Sequence, residues 1–81
     1  MTINEMKETA LNAVYEAYFE AFKMKVQSHS DSLPQRLHNV AAQKADDYEI
    51  IGLLDEHEVR EQIIKAGERV QRLYHVNLAD Y

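Results

Sequence analysis

Histidines and carboxylates are the groups in this 81-residue chain best suited to moving protons or holding a metal, and it has four and fourteen of them. Their spacing decides whether they do either. His29, His38, His57 and His75 are scattered. Neither His-x-x-x-His nor a repeated Glu-x-x-His, the spacings that aim ligands from one helical face, occurs among them. His57 and Glu61 stand four apart inside the acidic run from Asp55 to Glu61, which reads as an exposed first helical turn whose acids complement the helix dipole. Glu16 and Glu20 are likewise four apart, but they share a polar strip that water solvates. No serine or threonine has a base at a spacing that would activate it. The chemistry-bearing residues therefore predict no catalytic residue, no cofactor and no metal site.

The acidic residues are better read as a surface. Between residues 46 and 61 there are seven carboxylates against Arg60 alone, and the whole chain carries a net charge of −5. Such a balance argues against direct nucleic-acid binding, which needs a basic footprint. A helix-turn-helix reading across Gly52 fails for the same reason, since its second helix would present Glu56, Glu58 and Glu61 to phosphates. Inverted, the logic gives a patch for a basic protein partner made of Asp46, Asp47, Glu49, Asp55, Glu56 and Glu58. The alternative function is a nucleic-acid mimic that occupies a DNA- or RNA-handling protein with that patch.

Three antiparallel helices are predicted to position these groups, at about 3–27, 34–51 and 56–75, in one domain spanning 1–81. Thr2 or Asn4 can cap the first, with Glu5 and Glu8 near its positive end. The stretch SHSDS, residues 28–32, breaks the pattern. Asp31 or Ser32 then caps a second helix with Pro34 in its first turn. Its apolar seam is Leu37, Val40, Ala41, Ala45, Tyr48 and Ile51, and Gly52 is its left-handed stop, with Leu53 and Leu54 folding back. Asp55 and Glu58 form a capping box for the third helix. Val59, Ile63, Ala66, Val70 and Leu73 give it a heptad-like seam. Its outer face pairs Glu56 with Arg60, Glu61 with Lys65 and Glu68 with Arg72. The tail VNLADY either packs or frays.

The first helix, the longest, raises the question of partners. At about 100° per residue, Glu5, Asn12, Glu16, Glu20 and Lys23 fill a polar strip only about 80° wide. Apolar side chains cover about 240°, against the roughly 100° a surface helix needs. One flank is alanine-rich and the other carries Tyr15, Tyr18, Phe19 and Phe22. Two neighbouring helices are expected to cover about half the circumference, leaving a face for another copy. The expected fold is thus an all-α dimeric helical bundle, a homodimer through Ala13, Ala17, Tyr18, Ala21 and Phe22.

Arg69 and His75 stand in an Arg-x5-His spacing inside the last helix. This segment resembles the Arg-x4-6-His signature of the HEPN ribonucleases, with Val70 where that family usually carries a polar residue. The resemblance implies a helical dimer in which Arg69 and His75 of two subunits meet in one RNA-cleaving site. It is the remote alternative for function.

With no cysteine, the chain has neither disulfides nor thiolate metal sites, and a reducing cytoplasm is the expected location. MTINEMKET lacks the basic start and apolar core of a signal peptide. No run approaches the ~18 apolar residues of a membrane span. Binding through Lys- or Arg-rich helix faces is equally unexpected, because the polar strip of the first helix is acidic. The sequence therefore predicts a small, acidic, non-catalytic protein-interaction or regulatory module that self-associates.

Overall fold

The structure, a computed structural model, describes residues 2–28 and 32–81. Three helices account for most of them: α1 (Ile3–Gln27), α2 (Ser32–Ile50) and α3 (Glu56–Tyr74), followed by a short 3-10 turn at Leu78–Asp80. Asp31, one of the two expected caps of α2, lies outside the described residues, as does His29.

Local chemistry sets the helix ends. Thr2 caps α1, its hydroxyl accepting from the Glu5 amide at 3.2 Å. Gly52, at φ 78°, ends α2 in the left-handed region. The Leu53 and Leu54 amides then turn back to the Tyr48 carbonyl at 3.0 and 3.2 Å. The expected capping box is present: the Glu58 amide donates to Asp55 Oδ1 at 2.8 Å, and the Asp55 amide donates to Glu58 Oε1 at 3.1 Å. That backbone hydrogen bond from Glu58 holds the Asp55 carboxyl below the usual range for an aspartate. Of the three pairs expected on the outer face of α3, Glu56 and Arg60 meet at 2.9 Å.

Both α2 and α3 pack closely on α1, while they approach one another at few points. Contacts run in opposite order along α1 and α2: Lys7 shares a hollow with Glu49 and Leu53, whereas Ala21 and Lys25 share one with Pro34 and His38. Along α1 and α3 they run in the same order, through Lys7–Glu58, Tyr15–Arg69 and Gln27–Tyr74. The third helix thus lies parallel to the first and antiparallel to the second.

This arrangement answers the question raised by α1. The alanine flank of α1 meets the small-residue face of α2, where Ala10, Ala21, Ala41 and Ala45 are all buried. The aromatic flank meets α3. Between the two, Val14 and Tyr18 fill the wedge that the splayed partners leave, and both are buried. Neighbours on two separate flanks cover far more of the circumference than adjoining ones. Both expected flanks of α1 thus meet a helix of the same chain, which buries Ala10, Val14, Tyr18 and Ala21 and leaves Ala13, Ala17 and Phe22 half-buried, while Ile3 and Met6 stay exposed.

Two seams also differ from expectation. On α2, Val40 is 54% exposed, because the helix turns its alanines toward α1 and carries Val40 about 100° around, and Ile51, the turn residue just past the helix, is 70% exposed. On α3, Leu73 is 54% exposed while Gly67 is buried. A straight helix drifts about 20° per heptad against a 3.5-residue stripe, so the series Val59, Ala66, Leu73 walks off the contact. Helix α3 ends at His75, which sits in the left-handed region at φ 54°.

The tail packs. The Leu78 amide donates to Gln71 Oε1 at 2.9 Å, and the Leu78 side chain lies over Gly67. A Cβ on Gly67 would meet Leu78 Cδ1 at 3.4 Å and Phe22 Cε2 at 3.6 Å, which is close contact without overlap. Glycine inside a helix costs about 0.5–1 kcal/mol relative to alanine. Gly67→Ala should therefore raise stability by about that amount in urea unfolding. A loss of stability would mean that Leu78 cannot give way.

Candidate interaction surfaces

The structure distributes the carboxylates of the expected acidic patch over two surfaces. Glu49, Asp55, Glu56 and Glu58 surround an open hollow at the turn between α2 and α3, together with Lys7. Lys7 Nζ lies 2.7 Å from Glu58 Oε2, and that contact holds the lysine above its usual pKa. Asp47 belongs elsewhere: it lines a separate groove with Val40, Gln43, Lys44 and Tyr48 and accepts from Gln43 Nε2 at 3.0 Å. On a helix, Asp47 and Glu49 point about 160° apart. Asp46 faces the same side as Glu49, and both acids, after burial itself, push the Tyr18 phenol upward in pKa.

The residues expected to form a dimer seam are only partly available. Tyr18 and Ala21 are 7% and 1% exposed within a single chain. Ala13, Ala17 and Phe22 are half-buried, with Phe22 meeting the rings of Tyr18 and His38 at 6.0 and 5.3 Å. Large apolar side chains are exposed most densely on the flank and end of α2, at Leu33, Val40, Ile50 and Ile51, with Ile3 and Met6 on α1 and Ile64 and Leu73 on α3 exposed as well. Val40 and Tyr48 line the groove of about 450 Å³ that also holds Asp47.

Arg69 is drawn into the aromatic flank of α1. Its guanidinium lies 4.9 Å from the centre of the Phe19 ring and donates to the Tyr15 hydroxyl at 3.1 Å. His75 is the exposed left-handed residue that ends α3, and the Val70 side chain between them is fully buried. Both ends of the Arg-x5-His spacing thus have a packing or capping role. Among the described residues, no group of three or more His, Asp and Glu side chains is placed to hold a metal ion, His57 and its acidic neighbours included. Among the described residues, no helix is long and apolar enough to cross a membrane.

His38 is the group that sequence reasoning overlooked. It is wedged edge-on against Tyr18 at 5.4 Å, in a hollow with Lys25, Gln35 and Tyr81. Its position in α2, one turn from the buried Pro34 and Ala41, was the available signal. Burial, and then the charge of Lys25, push its pKa below the usual imidazole value of 6.5. The unfolded chain therefore binds the proton more readily than the folded one. Stability from this group is full above the ordinary value and declines as pH falls through it, levelling off only below the folded-state pKa. Wild-type protein should lose more stability than His38→Gln between pH 7.5 and 5.5, followed by urea unfolding at each pH. Equal losses would show that His38 titrates as though solvated.

Compared against family models, curated proteins and solved structures, the chain finds no match in any of the three.

Proposed function

We propose that this chain is a small acidic protein-interaction module that self-associates and performs no catalysis. One observation carries the reading: four large apolar residues, Leu33, Val40, Ile50 and Ile51, stand exposed along α2 and at its end, against two on α1 and two on α3, with Val40 at 54% and Ile51 at 70%. A domain of this size buries a smaller share of its surface than a larger one and gains the more from covering an exposed apolar patch, which marks a contact surface. The non-catalytic part rests on employment of the candidate groups. Arg69 packs on aromatic rings, Asp55 and Glu58 cap α3, and His75 closes it. The test is native mass by light scattering at two protein concentrations. A dimer at the higher concentration is expected; a monomer at both would refute self-association.

A second surface has its own support. The four carboxylates gathered around the hollow beside Lys7 would receive a basic protein segment, in keeping with the net charge of −5. Binding there would weaken with salt and with Glu49→Lys or Glu56→Lys, measured by titration calorimetry against an oligolysine peptide. Binding indifferent to salt and to both variants would place the contact elsewhere.

A further inference from the structure

We infer that the exposed flank of α2 is the self-association surface, and that its occupant is the same flank of a second copy laid antiparallel across a two-fold axis. This rests on the self-association proposed above and specifies its surface and geometry.

The stripe is regular. Leu33, Leu37, Val40, Lys44, Asp47 and Ile51 follow one another at steps of four, three, four, three and four residues. That is the a/d spacing of a helix-pairing seam. The stripe is centred about 100° around α2 from the alanines that face α1. Leu37 is half-buried at its inner edge, while the other five are exposed.

Charge decides what fits there. Along α2 the two basic residues, Arg36 and Lys44, precede the three acidic ones, Asp46, Asp47 and Glu49. A parallel pairing would set Lys44 against Lys44 and Asp47 against Asp47 in the middle of the seam. An antiparallel pairing about the point between Ala45 and Asp46 reverses this. It sets Gln43 opposite Tyr48 and Lys44 opposite Asp47 of the second copy, and Val40 opposite Ile51, the residue just past the end of α2. Each match occurs twice by symmetry, as an isologous contact requires. Polar residues at seam positions fix register and orientation in paired helices. The opposed helix dipoles favour the same arrangement. The groove lined by Val40, Gln43, Lys44, Asp47 and Tyr48 consists of the residues this register matches.

Charge reversal tests the pairing. Lys44 and Asp47 are both solvent-exposed, so their variants should keep the wild-type helical circular dichroism and melting curve as monomers. Lys44→Asp alone and Asp47→Lys alone each place like charges across the seam twice, and each should raise the dimer dissociation constant about tenfold or more. The double variant Lys44→Asp/Asp47→Lys restores opposite charges and should recover most of the loss, as read by analytical ultracentrifugation. A dimer whose dissociation constant is unmoved by either single reversal would overturn this surface while leaving self-association standing. Wild-type protein that stays monomeric would overturn both, including when the flank captures a different protein. Single variants that weaken the dimer without rescue in the double variant would overturn the antiparallel register.

Discussion

Tyr18→Ala should remove about 3–5 kcal/mol of folding stability, the usual loss for a large buried aromatic side chain. The ring occupies the middle of the wedge between α2 and α3, 7% exposed, with Phe22 on one side and His38 edge-on against it. Its removal would forfeit the ring contacts with Phe22 and His38 and leave a cavity in the core between α1 and its two partners. A domain of this length holds about 4–12 kcal/mol in total, so the variant should be largely unfolded or melt far below wild type. Tyr18→Phe separates the ring from its hydroxyl and should cost no more than about 1 kcal/mol. Thermal unfolding followed by circular dichroism distinguishes the two. A Tyr18→Ala variant that melts within a few degrees of wild type would mean that the wedge closes without its filling.

Leu54→Ala should be nearly as damaging, at about 2–5 kcal/mol. Leu54 is 3% exposed and joins the same core cluster as Val14, Tyr18 and Val59. It reaches the core because Gly52 turns the chain through the left-handed region and the Leu53 and Leu54 amides anchor on Tyr48. A smaller side chain leaves that turn without an apolar plug at the end of the bundle where α1 begins and α2 ends. The loss should appear in urea unfolding as a lower midpoint with an unchanged slope. Retained stability would show that the turn holds by its hydrogen bonds alone.

The parts of the fold legible in the sequence are those fixed by neighbouring residues. Thr2 as cap, Gly52 as stop and the Asp55–Glu58 box each depend on chemistry within four positions, and all are found in those roles. The bounds of α1, Ile3–Gln27, follow from the same signals. What periodicity could not reveal is how a broad apolar arc is divided. On α1 the arc is shared by two helices, which bury Ala10, Val14, Tyr18 and Ala21 and leave Ala13, Ala17 and Phe22 only half-buried. On α2 the apolar residues from Leu33 to Ile51 merge two stripes: alanines facing α1, and a flank that faces outward. Both have helical spacing, and only the packed structure separates them. The acidic run was visible as composition, yet one residue of rotation sends Asp47 to one side of α2 and Asp46 to another. The resemblance of the Arg-x5-His segment to the HEPN signature implies a catalytic meaning for Arg69 and His75. Their surroundings supply ring stacking for the one and a helix terminus for the other.

The absence of cysteine makes the central claim open to direct trial. Val40→Cys and Ile51→Cys variants would be prepared separately, reduced, mixed in equal amounts and oxidised with a mild disulfide reagent at a concentration where the protein is dimeric. Antiparallel pairing of α2 predicts cross-linked heterodimers of the two variants in clear excess over either homodimer, because Val40 meets Ile51 and neither meets itself. Efficient cross-linking of each variant to its own kind, or no cross-linking in the mixture beyond that of each alone, would contradict the account.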